Sequence, residues 1–197
     1  MAPNTPLQLS FVKSAPSVDD LPDSDGEIAF AGRSNVGKSS LINALANRTG
    51  LAATSKTPGR TQLLNIFVLP TGRTVVDLPG YGFAKVPARV RAGWAQMIQR
   101  YLLERQALRC VVVLVDAEVG PTALDLETLT WLADNDVPFH VVATKHDKVK
   151  PARRDKRKAE LAAKCGLDPK EILWVSSAKN VNIDELRKRA YRWLHED

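Results

Sequence analysis

The chain is poor in sulfur and in histidine. Its two cysteines, Cys110 and Cys165, fit no metal-ligand spacing and no disulfide framework. Cys110 opens the apolar run CVVVLV and reads as a core thiol. His140 and His146 have no companions at ligand spacing, and His146 reads as a filler of its loop. No stretch approaches the roughly 20 consecutive apolar residues that cross a bilayer. The opening MAPNTPLQLSFVKSAPSVDD lacks the basic start and apolar run of a secretory signal. No internal repeat is present, and no aromatic motif of the kind that stacks RNA bases on a sheet. These absences argue against a disulfide scaffold, a thiolate metal site and a membrane-spanning protein. A reducing, cytoplasmic setting is the simplest expectation.

What is there suits a soluble α/β chain. A hydrophobic fraction of 44% and a charged fraction of 25% are ordinary values, so 197 residues suit one domain with a substantial core. Residues 1–26 read as an edge strand and loop, and 27–197 as the domain core. Apolar runs predict strands at 7–13, 27–31, 63–69, 73–78, 110–116, 138–144 and 172–176. Helical periodicity predicts helices at 38–47, 88–106, 122–135, 152–165 and 182–195. Strands apolar throughout are buried on both faces, as in a parallel sheet, and the helices supply crossovers. The expectation is a doubly wound, mostly parallel α/β sheet with one antiparallel pair, 63–69 and 73–78, joined at Pro70-Thr71-Gly72. Residues 48–62 are polar with Gly and Pro, a long loop of the functional kind.

GRSNVGKS, residues 32–39, fits G-x-x-x-x-G-K-[ST] between a predicted strand and a predicted helix. In such a loop Gly32 and Gly37 let the backbone of Arg33, Ser34, Asn35 and Val36 turn N–H groups onto phosphate oxygens. Lys38 reaches the β- and γ-phosphates, the Ser39 hydroxyl ligates Mg²⁺, and Ser40 continues the helix start. DLPG follows at a strand end: Asp77 can hold Mg²⁺ through water, and Gly80 offers its N–H to a γ-phosphate, with Leu78 and Pro79 between them. The next residue is Tyr81, where hydrolysing relatives of such a loop carry a water-orienting glutamine. TKHD, residues 144–147, ends another strand. Asp147 there can accept two hydrogen bonds from guanine, a donor pair adenine lacks, while Lys145 packs along the purine beside Thr144 and His146. SSAK closes the set: Ser177 and the Ala178 N–H face the guanine oxygen, flanked by Ser176 and Lys179.

GRSNVGKSSLINAL, SKTPGRTQ, DLPGYGFAKV, TKHDK and SSAKN resemble the TrmE–Era–Obg branch of P-loop GTPases. Within it the chain is most similar to the EngB (YihA/YsxC) family of ribosome-biogenesis GTP-binding proteins. The pairing of SKTPGRTQ with DLPGYGFAKV is specific to that family, and FVKSAP and GPTALDLETL are similar to it. The resemblance implies a G domain that binds GTP and GDP with Mg²⁺ and hydrolyses GTP slowly. It further implies a switch role in late assembly of the large ribosomal subunit, a cytoplasmic setting and a monomer. By motif match, Gly59, Arg60 and Thr61 contact nucleotide and Thr61 is the switch threonine, preferred over Thr57. The implied metal set is Ser39, Thr61 and Asp77, and the implied catalytic set is Lys38, Thr61 and Gly80. Asn35 stands where some relatives hold K⁺ between the phosphates.

A net charge of +6 leaves room for an anionic partner without requiring one. The basic groups lie at 148–158 (KVKPARRDKRK), at Arg187, Lys188, Arg189 and Arg192, and at Lys85, Arg89 and Arg91. Ribosomal RNA phosphates, with neighbouring ribosomal proteins, would explain them together, although a solvated helix face explains the first equally well. Trp94 and Trp131 read as packing residues. Two other readings stand beside a GTPase: a GTP/GDP-dependent binding module with negligible hydrolysis, and an ATP-using kinase, against which TKHD argues. No residue specifically supports a role in cell division or septation.

Overall fold

The computed structural model describes residues 5–52, 63–81 and 88–195, the side chains of 88–94 excepted. In chain order the elements are β1 (Ser10–Ala15), β2 (Glu27–Gly32), α1 (Lys38–Ala46), β3 (Leu64–Val68), β4 (Thr74–Asp77), α2 (Ala88–Glu104), β5 (Leu108–Asp116), α3 (Ala123–Asp134), β6 (Phe139–Thr144), α4 (Arg154–Cys165), β7 (Leu173–Trp174) and α5 (Ile183–His195). The strands form one sheet in the order β1-β3-β4-β2-β5-β6-β7. β4, β2, β5, β6 and β7 run parallel, and β3 runs antiparallel to β4 as the tight 70–72 turn predicts. The edge strand β1 also pairs antiparallel with β3.

The central strands are apolar along their length because helices cover the sheet on both sides. Ile28, Phe30, Val112 and Leu114 face Leu41, Ile42 and Leu45 of α1 and Leu186, Ala190 and Leu194 of α5. Ala29, Ala31, Val111, Val113 and Val115 face Tyr101 of α2, Leu129 and Leu132 of α3 and Leu161 of α4. At about 25 cal/mol per Å² of apolar surface, these two layers dominate the stability of the fold. Cys110 is buried in the first layer, and Trp131 packs half-buried against the second, as expected of packing residues.

Three boundaries differ from the sequence expectation for physical reasons. Residues 7–9 leave the sheet: the Leu7 N–H donates to the Leu45 carbonyl (3.0 Å), and Leu7 and Leu9 are buried in the core at the end of α1. β7 shrinks to two residues because Ser176 pairs with Val181 across its own turn. Pro151–Arg153 forms a 3₁₀ turn before α4 begins. One residue expected on a basic surface lies inside. Arg187 is buried, its Nε and Nη2 donating to the carbonyls of Leu45 (3.0 Å) and Ala44 (2.6 Å) and its Nη1 to Asp184 (2.7 Å). It satisfies the last carbonyls of α1, a C-terminal cap supplied from α5.

At the opposite edge from the motif loops, the buried Glu27 carboxylate gathers Thr74, Tyr101 and Arg105. Their donors lie 2.6 Å (Thr74 Oγ1), 2.7 Å (Tyr101 hydroxyl) and 3.1 Å (Arg105 Nε) away. This network fixes the starts of β2 and β4 against α2. β2 is also where the chain order reverses, with β4 on one side and β5 on the other. In open α/β sheets a crevice for ligand opens at such a point, beyond the carboxyl ends of the strands. Gly32, Asp77, Asp116 and Thr144 end their strands at that crevice.

Candidate functional site

Loop 32–37 leaves β2 and delivers Lys38 to the first position of α1, so its backbone N–H groups sit at a helix N-terminus. The turn is tight: Val36 N–H donates to the Arg33 carbonyl (3.2 Å), and Asn35 and Gly37 take left-handed backbone with φ of 63° and 103°. Asparagine tolerates that region better than other residues with a Cβ, and glycine adopts it without strain. Lys38 Nζ is paired with the Asp77 carboxylate at the end of β4, and both side chains are nearly buried. The 77–81 segment then lies directly against the phosphate-type loop. Tyr81 N–H donates to the Gly32 carbonyl (3.3 Å) and Ser34 N–H to the Tyr81 carbonyl (3.2 Å). A Cβ on Gly80 would stand 3.2 Å from the Ser34 nitrogen, so this approach suits a residue without one.

The Tyr81 side chain turns away from this cradle. Its hydroxyl donates to Asp125 Oδ1 (2.8 Å) on α3, and burial followed by the Asp125 charge raises its pKa far above that of a free phenol. Asp125 is fully buried, accepts from the N–H and hydroxyl of Thr122 (2.8 Å each), and faces Arg33 Nε at 3.4 Å.

The base-side loops meet the same crevice. Thr144 Oγ1 donates to the Val36 carbonyl (2.6 Å), so this residue ties the TKHD loop to the phosphate-type loop. Lys145 adopts left-handed backbone (φ 57°), a strained choice for a residue with a long side chain. Its ammonium is held by Asp116 (2.7 Å) at the end of β5. Burial alone would raise the Asp116 carboxyl, but the Lys145 bond and the N–H groups of Val119 and Glu118 hold it below the usual range. Asp147 accepts from the Ser176 hydroxyl (2.5 Å), which keeps its carboxyl below the usual range, and Lys179 N–H donates to the same Ser176 oxygen (3.1 Å). His146 is buried edge-on to Trp174 (5.9 Å), and burial, then Arg154 and Lys158, lowers its pKa. A cleft of about 590 Å³ runs between α1 and loop 177–180, lined by Ser40, Asn43, Arg48, Ser177 and Ala178 among others.

The structure thus brings together 32–40, 77–80, 144–147 and 176–179 at one crevice. Gly59, Arg60, Thr61 and Thr57 lie outside the described residues, as does Lys85. The side chains of Arg89, Arg91 and Trp94 lie outside them too. Sequence reasoning missed Asp116 and Asp125. Asp116 could have been found as a carboxylate closing the apolar strand CVVVLVD; Asp125 lies within GPTALDLETL, a stretch that carries the family resemblance but no nucleotide motif. Of the predicted basic surface, Lys150, Arg153, Lys156, Lys188 and Arg192 are exposed. Arg157 instead reaches the Glu118 carbonyl (3.0 Å), and Arg189 pairs with Glu185.

Comparison with known proteins gives this arrangement its relatives. A family profile described as 50S ribosome-binding GTPase matches residues 27–145. A protein of Pelobacter propionicus described as probable GTP-binding protein EngB is 46% identical, with 94% of each chain covered. One of Idiomarina loihiensis with the same description is 42% identical, with 95% of this chain and 92% of the relative covered. A crystal structure of a probable GTP-binding protein engB superposes with a TM-score of 0.72 at 26% identity, covering 87% of this chain and all of the other. The structure of Era in complex with MgGDPNP and nucleotides 1506–1542 of 16S ribosomal RNA matches with a TM-score of 0.65 at 26% identity, over 87% of this chain and 57% of Era's. The matched profile spans more than half of the chain and the relatives nearly all of it, so the chain belongs to the EngB family of GTP-binding proteins.

Proposed function

We propose that this chain is a slow GTPase that uses its nucleotide state to control binding to an assembling large ribosomal subunit. The observation that carries the nucleotide part is the Lys38–Asp77 pair between two loops joined through Gly32, Ser34 and Tyr81. It sets one cation for phosphate and one carboxylate for a metal side by side at a helix N-terminus. In this reading the N–H groups of residues 33–37 and the Lys38 ammonium hold the β- and γ-phosphates, and the Gly80 N–H meets the γ-phosphate. Asp147, oriented by Ser176, reads guanine, with Ser177, Ala178 and the stem of Lys145 around the base. The residues present fit Mg²⁺, since Ser39 and Asp77 supply hard oxygen donors, with Thr61 as the proposed third. When bound, the ion would neutralise charge on the β- and γ-oxygens. Asn35 is the proposed K⁺ contact.

The ribosomal part rests on the family's description as 50S ribosome-binding and on the exposed cations Lys150, Arg153, Lys156, Lys188 and Arg192. No helix among the described residues is long and apolar enough to cross a membrane; a cytoplasmic monomer of one domain is the proposed form. The test is affinity for large-subunit precursors with GDP and with a GTP analogue, across salt concentrations. A nucleotide-dependent affinity that falls steeply with salt is expected. Equal affinities in both nucleotides would sink the switch, and a flat salt response would sink the RNA contact.

A second reading, a nucleotide-dependent binding module without useful hydrolysis, is favoured by one observation: the Tyr81 hydroxyl is committed to Asp125 and not to the crevice. Single-turnover GTP hydrolysis with and without large subunits separates the two.

A further inference from the structure

Asp125 belongs to none of the nucleotide motifs, yet it touches both loops that flank the phosphate position. It is fully buried and stands in the first turn of α3, where the helix dipole favours a carboxylate. One oxygen, Oδ1, accepts from the Tyr81 hydroxyl; the other, Oδ2, accepts twice from Thr122 and faces Arg33 Nε at 3.4 Å. That Arg33 nitrogen is buried and makes no hydrogen bond among the described residues. At 3.4 Å the buried Arg33 donor stands just beyond hydrogen-bond length from a buried carboxylate, and leaving that bond unmade is costly. Tyr81 sits at the junction. Its backbone is stitched to Gly32 and Ser34, and its side chain to α3.

We propose that Asp125 is a positioning residue: by holding Tyr81 and Arg33 it locks loops 32–37 and 77–81 at the spacing that receives a γ-phosphate and makes α3 move with them. Tyr81 then fills the place of a water-orienting glutamine as a strut. This rests on the reading of the chain as a nucleotide switch. In that reading GDP engages loop 32–39 and the base loops, whereas the Gly80 loop meets only the γ-phosphate. Loosening the latch therefore weakens triphosphate binding selectively.

The test uses Tyr81→Phe, which removes only the hydroxyl, Asp125→Ala, which removes the acceptor of that hydroxyl, and their combination, titrated with GDP and with GDPNP. Each single variant is expected to lose about five- to tenfold in GDPNP affinity, as for one charge-assisted bond, with GDP within about twofold. The double variant is expected to be no worse than the weaker single one, because both break the same contact. Thr122→Val, which removes another hydroxyl from Asp125 and leaves Tyr81 alone, should lower thermal stability without changing the GDPNP/GDP ratio. Unchanged ratios in Tyr81→Phe, equal losses for both nucleotides, or additive losses in the double variant would overturn the latch. Hydrogen exchange of residues 78–81 and 123–127 in the wild type separates the two failures. If it is identical in GDP and GDPNP, the switch reading falls and the latch with it. If it differs while the variants bind like the wild type, the latch alone falls.

Discussion

Thr144 Oγ1 donates a 2.6 Å hydrogen bond to the carbonyl of Val36, joining a base-side loop to the phosphate-type loop across 108 residues of chain. Both partners are buried. Thr144→Val keeps the shape and deletes the donor, leaving a buried carbonyl unpaired at about 1–3 kcal/mol. Because every nucleotide in the proposed site would use both loops, GDP and GTP-analogue affinities should fall together by about tenfold, leaving their ratio unchanged. Thr144→Ser, which keeps the hydroxyl at the same reach, should recover part of the loss. Wild-type affinities in Thr144→Val would show that the bond is incidental. The behaviour contrasts with the Tyr81 variants, where the ratio itself moves.

Asp147 is presented to the crevice by the Ser176 hydroxyl, whose hydrogen bond holds the carboxyl below the usual range. A carboxylate accepts two hydrogen bonds and donates none, so guanine is preferred over adenine by a factor on the order of 10⁴ in competition. Asp147→Asn replaces one acceptor by a donor, and should exchange guanine for a base with a carbonyl where guanine has its amino group. Xanthosine diphosphate is the probe. Ser176→Ala should weaken GDP without this exchange, because it frees the carboxylate without changing its chemistry. Equal binding of ADP and GDP by the wild type would refute the assignment of Asp147.

Asn35 is exposed on the phosphate-type loop in left-handed backbone. With Tyr81 bound to α3, a monovalent cation at Asn35 would add positive charge beside that of Lys38 and Mg²⁺ in the proposed mechanism. GTP turnover should be faster in K⁺ than in Na⁺, and Asn35→Ala should remove the difference. Equal rates in the two salts would sink this role.

The sheet and most motif positions were legible because their signals are local. A glycine-bracketed loop between EIAFA and LINALA, and a strand ending TKHD, need no tertiary information. What was not legible depends on distant partners. Arg187 looks like one more surface cation of an amphipathic helix until the end of α1 is placed beneath it. Leu7 and Leu9 read as strand because alternation cannot tell a sheet partner from the flank of a helix. Asp125 is a helix-start carboxylate in the sequence, and only the fold sets it opposite Tyr81, 44 positions away. Thr144 is only a neighbour of the base reader in the sequence, and the fold alone sets its hydroxyl on the Val36 carbonyl.

Thermal stability should fall on both sides of a plateau near neutral to weakly alkaline pH, for reasons that differ in sign. Burial raises the Cys110 thiol to about 12 and the Cys165 thiol to about 11; it also raises the Tyr81 and Tyr101 phenols, aided by Asp125 and Glu27 respectively. These groups are neutral when protonated, so the stability linked to them is complete below their unfolded values of about 8.5–10 and is lost as pH rises towards the folded ones. Burial lowers His140, stacked on Trp193 at 4.3 Å, and also His146. Both are held neutral, so their contribution is complete above about 6.5 and is lost as pH falls through that value. Asp116 and Asp147, whose folded values are lowered, add a further loss only below about pH 4. Unfolding temperatures measured from pH 5 to 11 should therefore drop below about 6.5 and above about 8.5. His140→Gln should make the acid limb shallower, leaving the His146 part, without touching the alkaline one. An unfolding temperature that stays constant from pH 8.5 to 11 would mean that the buried thiols and phenols do not keep their protons in the fold.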